Sequence, residues 1–304
     1  MKKDLLKLLD LSTQDITLIL DTSDKLKAER KAGKKHDFPA GKTLAMIFAK
    51  NSTRTRVSFE VGMTHFDGHA IFMTTSNSQM NRGESISDTA RTLSRYVDCI
   101  MIRTYDQNEV EELAKYATVP LINGLTDFAH PCQILADLMT IREHKGKLKG
   151  LKACWMGDGN NVANSMIVGC LKMGMDVSVA CPEGYRPDKQ VLDFAATVKD
   201  CKFELTDDPK VAAKGADVVF TDVWASMGQE DEAKERQEAF KGYQLNDDVL
   251  AVANPGCMVQ HCLPAHKGEE ISEKTFEDHA QEIFDEAENR LHVQKGIMYL
   301  LMKK

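Results

Sequence analysis

Between residues 43 and 262 the sequence alternates apolar runs of strand length with stretches of helical pattern, and no other feature restricts the fold as strongly. Apolar runs at 44–49, 69–74, 99–103 and 119–122 are followed by helical stretches that start at Thr53, near Ser85, at Gln107 and near Pro131. A second series has runs at 151–156, 176–180, 202–205, 218–221 and 258–262, with helices from Asn160, Pro187 and near Pro209. Strands and helices at this spacing join as right-handed βαβ units and give parallel sheets covered on both faces. The basic, glycine-containing segment 145–150 interrupts the series. The spacing therefore predicts two doubly wound α/β domains, over residues 1–146 and 147–285. Ahead of them, Ser12 and Asp15 have capping-box form and open an amphipathic helix that stops near Gly33. After them, residues 276–304 read as helix, with Ile283, Leu291, Ile297 and Leu301 among its apolar positions.

Composition narrows the function. With 42% hydrophobic and 28% charged residues in 304, the chain has the make-up of a soluble globular protein able to bury a large core. A net charge of -7 argues against a nucleic-acid surface, so any phosphate should be small and locally captured. No apolar run reaches membrane-spanning length, and charges interrupt the first ten residues where a signal's apolar core would lie, so a cytoplasmic protein is expected. The 8 cysteines are scattered with no C-x-x-C pair, which suggests neither a disulfide framework nor a zinc site. No metal or organic cofactor is indicated.

Ligands of doubly wound sheets lie beyond the carboxyl ends of the strands, and two such domains facing one another would form a cleft. The polar residues that follow the apolar runs are therefore the informative ones. Ser52, Thr53, Arg54 and Thr55 fall at a helix N-terminus with Arg56 close by. Orphan backbone N–H groups, the positive end of the helix dipole, hydroxyls and guanidiniums together suit a phosphate. The same start also serves as an N-cap with solvated arginines, though two arginines so close together favour the anion. Arg103 ends the third run, and His130 precedes Pro131 at a helix start, with Gln133 on the first turn. His130 suits a cap or surface group as well as a donor to a carbonyl.

In the second series, Gly157, Asp158 and Gly159 resemble half of a dinucleotide fingerprint, which raises an NAD-linked dehydrogenase as an alternative; Val162 stands where the third glycine should fall. Asn160 and Asn161 offer side-chain amides suited to a zwitterion. Asp222 follows another apolar run, where it can cap a helix or dock an ammonium group. Cys262 is singled out among the thiols, because Pro264 forces an irregular turn that can aim Cys262 and the Leu263 backbone outward. Residues 226–243 are polar and strand-free, as a lid would be. Phosphate clamps, carbonyl donors and an amino-acid binder are what group transfer from an acyl phosphate to an amine requires.

Four segments, Ser52-Thr53-Arg54-Thr55, His130-Pro131-Cys132-Gln133, Asp222 through Gly228, and His261-Cys262-Leu263-Pro264, resemble the carbamoyltransferases in order and spacing. The last two resemble the ornithine branch of that family; the aspartate branch looks like His-Pro-Leu-Pro at the final position. The resemblance covers essentially the whole chain. It implies carbamoyl transfer from carbamoyl phosphate to the δ-amine of L-ornithine, giving citrulline and phosphate, without a cofactor. By that similarity Ser52, Thr53, Arg54, Thr55 and Arg103 bind the phosphate, and Thr55, Arg103 and His130 reach the carbonyl oxygen. Gln133, the Cys262–Leu263 backbone and Arg290 take the carbamoyl amide, while Asn161, Asp222, Ser226 and Met227 hold ornithine. The catalytic set is Arg103, His130, Asp222 and Cys262. Gln79 would reach a neighbouring subunit's site, which implies a homotrimer, and the helix at 286–304 would pack back on the first domain. The chain departs from the family pattern at Asn81, Arg82 and Gly83, where many relatives are expected to carry Lys or His.

Overall fold

A computed structural model of the chain describes residues 3–225 and 230–303. The chain divides into two compact units, one made of residues up to 136 together with those from 288 onward, the other of residues 137–287.

The first unit contains α1 (Thr13–Lys31), β1 (Thr43–Phe48), α2 (Thr53–His65), β2 (His69–Thr74), α3 (Ile86–Leu93), β3 (Cys99–Arg103), α4 (Gln107–Tyr116), β4 (Leu121–Leu125) and the start of α5 (Pro131–Lys145). The strands pair in parallel in the order β2-β1-β3-β4. β3 is buried at every residue and β1 at all but its first, as expected of parallel strands covered on both faces. The edge strand β2 alternates, leaving His69 and Ile71 exposed. At the start of α1 the capping box is closed in both directions. Ser12 Oγ accepts from the Asp15 N–H at 3.0 Å, and the Asp15 carboxylate accepts from the Ser12 N–H at 3.1 Å.

The second unit contains the rest of α5, β5 (Lys152–Met156), α6 (Asn161–Lys172), β6 (Asp176–Ala180), α7 (Lys189–Thr197), β7 (Phe203–Thr206), α8 (Pro209–Ala213), β8 (Val218–Thr221), α9 (Ala233–Ala239), α10 (Asp247–Leu250), β9 (Met258–His261), α11 (Glu273–Asp278) and the first turns of α12 (Ala280–Met302). Its strands are likewise parallel, in the order β7-β6-β5-β8-β9. Met156, Val219, Val259, Phe240, Ile271 and Ile283 belong to one buried cluster in its core. The closing segment that reads as a single helix is two, α11 and α12, separated at His279.

The remainder of α12 packs on the first unit through small residues. A Cβ on Gly62 of α2 would come within 2.7 Å of Met298 Cε, and one on Gly296 within 2.2 Å of Ser23 Oγ on α1. Close helix packing is the reason for glycine at both positions.

Each strand order fixes where a ligand belongs. In the first unit the chain leaves β1 toward β2 but leaves β3 toward β4, so the direction of crossing reverses between β1 and β3. In the second it reverses between β5 and β8. The crevice of a doubly wound sheet opens beyond the carboxyl ends of the strands at such a reversal.

Candidate active site

At the β1/β3 reversal the chain places Ser52, Thr55 and Arg103. Ser52 is the N-cap of α2, its Oγ accepting from the Thr55 N–H at 3.2 Å. Thr53 and Arg54 form the first turn. A β-bulge between Ile102 and Arg103 opposite β4 ends regular pairing where Arg103 leaves the sheet. Gly124 lies in that irregularity, and a Cβ there would meet Met101 Sδ at 2.7 Å.

Arg290, from α12, ties the pieces together. Its Nη1 donates to Gln133 Oε1 at 2.6 Å and its Nη2 to Thr55 Oγ1 at 3.1 Å, all three side chains being buried. A guanidinium can only donate, so Gln133 must turn its oxygen toward Arg290. His130 lies among these groups. Its pKa is pushed well below the usual imidazole value, first by burial and then by the positive charges of Arg290, Arg103 and Arg54. The site in this unit is thus three guanidiniums around a neutral imidazole, built to receive anionic oxygens beside a group that neither repels nor needs a proton.

Arg56 does not join this group. Its Nε bonds Glu60 at 3.0 Å one turn along α2, and its guanidinium stacks on the Phe72 ring at 3.7 Å. Gln79 is exposed on a 3-10 turn, Gln79–Arg82.

At the β5/β8 reversal of the second unit, Asp222 is the centre. The Cys262 thiol donates to its Oδ1 at 3.1 Å, the Val223 N–H to the same oxygen at 2.8 Å, and Asn160 Nδ2 to Oδ2 at 3.0 Å. Burial and then Asp222 hold the Cys262 pKa well above the ordinary thiol value. Cys262 is therefore a protonated donor, not a thiolate nucleophile. Asn161, half-buried, is the first residue of α6. Ser226 and Met227 lie outside the described residues.

The turn after β9 is pinned by His261, which opens the His261-Cys262-Leu263-Pro264 segment, and by Glu270, which no sequence motif marks. His261 Nδ1 accepts from the Leu263 N–H at 3.0 Å, and Nε2 faces Glu270 Oε1 at 3.0 Å. Leu263 stands at φ 59, with a cis bond to Pro264. Nothing local in the sequence marks Glu270 as the partner of His261.

Gly157 and Gly159 owe their identity to packing. Gly157 has φ 127, and a Cβ on Gly159 would meet the backbone of the 185–187 loop at 2.3 Å. The α6 N-terminus is closed off, because Asn160 Oδ1 accepts from the N–H groups of Val162 at 2.9 Å and Ala163 at 3.1 Å. A pyrophosphate needs those amides, so the dinucleotide alternative loses its physical basis. The stretch after β8 is held at several points beyond residue 229. Buried Arg236 bonds Asp158 at 2.7 Å and the Trp224 carbonyl at 3.0 Å, and Phe240 packs on Tyr185 with ring centroids 4.9 Å apart.

Ligand atoms of Asp222, His261 and Cys262 lie within 4.8 Å of one another, as do those of His266, Glu269 and Glu270. In the first set both His261 nitrogens are engaged in hydrogen bonds, which leaves that ring no lone pair for a metal ion. No helix among the described residues is long and apolar enough to cross a membrane.

Residues 3–143 match the family model of the carbamoyl-P binding domain of aspartate/ornithine carbamoyltransferase, and residues 149–301 that of its Asp/Orn binding domain. The chain is 54% identical to an ornithine carbamoyltransferase of Pyrococcus abyssi over 303 residues, covering 99% of this chain and 96% of that one. It is 56% identical to one of Geobacter metallireducens over 278 residues, 91% and 92% of the two chains. Among solved structures, ornithine carbamoyltransferase from Pyrococcus furiosus aligns with TM-score 0.94 at 54% identity over 98% of this chain and 96% of that one. The Thermus thermophilus enzyme aligns with TM-score 0.90 at 40% identity over 100% of both.

Proposed function

The chain belongs to the aspartate/ornithine carbamoyltransferase family, and from that premise we propose that it transfers the carbamoyl group of carbamoyl phosphate to the δ-amine of L-ornithine, giving L-citrulline and phosphate. The observation that carries the reading is the trio of Arg54, Arg103 and Arg290 around a neutral His130. An acyl phosphate offers the anionic oxygens such a group wants, together with a carbonyl that a neutral imidazole can polarise.

In this reading the N-terminus of α2, with Ser52, Thr53, Arg54 and Thr55, and Arg103 hold the phosphate. Thr55, Arg103 and His130 donate to the carbonyl oxygen. Gln133 Oε1 already accepts from Arg290, and its second lone pair can take a carbamoyl N–H. The Leu263 carbonyl takes the other. Asn161, Asp222, Ser226 and Met227 hold ornithine, with Asp222 oriented by Cys262 and Asn160.

The neutral δ-amine attacks the carbamoyl carbon. Negative charge then develops on the carbonyl oxygen, where Arg103, His130 and Thr55 meet it, and phosphate departs as that charge returns, carrying the proton that the δ-nitrogen sheds. Each oxyanion donor of this kind is typically worth about 3 kcal/mol of barrier. The thiol of Cys262 remains protonated throughout and forms no bond to carbon. Since ornithine must first lose a proton from its δ-ammonium, turnover rises toward alkaline pH.

The same reading makes the enzyme a cytoplasmic homotrimer in which Gln79 serves a neighbouring subunit's site. A citrulline assay with carbamoyl phosphate and ornithine tests the activity. Aspartate, putrescine and N-acetylornithine as competing acceptors test its specificity, and light scattering tests the assembly. A chain that carbamoylates aspartate in preference to ornithine would refute the assignment.

A further inference from the structure

The turn from His266 to Glu270 gathers a second group of metal-ligating side chains. One ligand atom from each of His266, Glu269 and Glu270 lies within 4.8 Å of the other two. His266 Nδ1 and Glu269 Oε2 are 3.7 Å apart, and their side chains are 52% and 41% exposed. Glu270, by contrast, is fully buried.

The backbone holds these groups in a fixed frame. The Glu269 N–H donates to the His266 carbonyl at 2.9 Å, and the N–H of Gly268, at φ 96, donates to the Ile271 carbonyl at 2.8 Å. Gln244 Nε2 donates to the carbonyls of Gly268 at 2.9 Å and Glu269 at 3.0 Å. The one lysine of the turn is directed elsewhere: Lys267 pairs with Glu277 and lies over the Phe276 ring at 4.3 Å.

Glu270 supplies the observation that points to a ligand. Its Oε1 accepts from His261 Nε2 at 3.0 Å and from the His266 N–H at 2.6 Å, whereas its Oε2 is buried and has no hydrogen-bond partner among the described residues. A buried carboxylate oxygen left unmatched is unfavourable, and a cation removes that penalty. Among the described residues no lysine or arginine forms an ion pair with Glu269 or Glu270. Glu269 Oε1 takes a long hydrogen bond from Gln237 Nε2 at 3.4 Å, which leaves Oε2 facing His266.

We propose that His266 Nδ1, Glu269 Oε2 and Glu270 Oε2 form a site for one divalent cation of the Mn²⁺ or Zn²⁺ class, with water in its remaining positions. An imidazole with two carboxylates and no sulfur matches these ions, while Ca²⁺ and Mg²⁺ prefer shells made wholly of oxygen. A cation about 2.1 Å from each donor needs those donors roughly 3–4 Å apart. His266 and Glu269 already stand at that spacing, and both are exposed enough to swing onto the fixed Glu270. The site is separate from the Asp222, His261 and Cys262 set, whose imidazole is committed on both nitrogens. It also stands independently of the proposed carbamoyl transfer.

Titration of the metal-stripped full chain with Mn²⁺, followed by electron paramagnetic resonance of the free ion, tests the site. The expected result is one Mn²⁺ per chain with a Kd below about 1 mM, displaced by Zn²⁺. His266→Ala and Glu269→Gln, both at partly exposed positions, should each weaken binding about 10-fold or more, while Cys262→Ser leaves it unchanged. Mn²⁺ should broaden the imidazole resonances of His266 first, and should raise the Tm of the wild type but not of Glu269→Gln. No binding below about 1 mM, wild-type affinity in both His266→Ala and Glu269→Gln, or a loss confined to Cys262→Ser would overturn the proposal. Citrulline formation enters none of these readouts, so a failure of the proposed reaction leaves the test standing.

Discussion

Replacing Arg290 by lysine keeps its charge and removes its fork. The guanidinium spans two acceptors, Gln133 Oε1 at 2.6 Å and Thr55 Oγ1 at 3.1 Å, whereas an ammonium on a flexible stem can satisfy only one of them well. One charge-assisted hydrogen bond between buried groups is lost, which is worth about 1.5–3 kcal/mol. If Thr55 and Gln133 must both be in place when charge develops on the carbonyl, that energy appears in the barrier as a loss of about 10- to 100-fold in kcat/KM for carbamoyl phosphate. Arg290→Gln adds a second effect. The positive charge of Arg290 is one of the forces that depress the His130 pKa, so removing it lets that pKa rise toward the ordinary imidazole value. The acid limb of the kcat/KM profile should then move to higher pH in Arg290→Gln and stay in place in Arg290→Lys. Steady-state citrulline formation across pH, run well below each variant's Tm, measures both effects. An Arg290→Lys enzyme within about 3-fold of wild type, or the same acid limb in both variants, would refute the reasoning.

Three further outcomes are expected. Native Cys262 should resist iodoacetamide at pH 8, as read by mass spectrometry, because burial and Asp222 keep the thiol protonated; modification of Cys262 ahead of the half-buried Cys201 would contradict this. Gly159→Ala should lower Tm by at least several degrees, since the new Cβ would meet backbone of the 185–187 loop at 2.3 Å and strain of this kind costs about 1–3 kcal/mol or more. His65 and His292 are both lowered to about 4, chiefly by burial, so the folded state binds fewer protons than the unfolded one between there and the ordinary value of 6.5. That stability is present above pH 6.5 and is lost as pH falls through about 4, so the urea midpoint should drop across this window and drop less in His65→Gln.

What could be read from the sequence was whatever the chain encodes locally. Parallel strands buried on both faces announce themselves as uninterrupted apolar runs, as at Cys99–Arg103, and a cap such as Ser52 lies three residues from the amide it serves. The reversal points then put Thr55 and Arg103 at one edge and Asp222 at another. Partners far apart in sequence were illegible from the residues themselves. Arg290 reaches Thr55 across 235 positions, and only resemblance to a family marked it beforehand. The partnership of His261 with Glu270 spans just nine, yet it passes through a turn with a cis bond and a positive φ that no periodicity signals. The pair Gly157 and Gly159 was ambiguous for a different reason. Glycine is required both where a phosphate approaches a backbone and where another loop does, and only the packed neighbour tells the two apart. Arg56, next but one to Arg54, looked like part of the anion site; helical geometry turns it away, toward Glu60 and Phe72.

The division of the chain means that the first unit is built from two segments separated in sequence, with everything from 137 to 287 inserted between them. On a ribosome, its four-stranded sheet is translated long before Arg290 emerges, so the nascent unit waits for the whole inserted unit before its third guanidinium arrives. A premature stop between the end of β4 and Arg290 would therefore release a product whose four-stranded sheet is encoded in full but whose set of anion-binding residues is not. An independently expressed version of this unit would have to be stitched from two separate gene fragments.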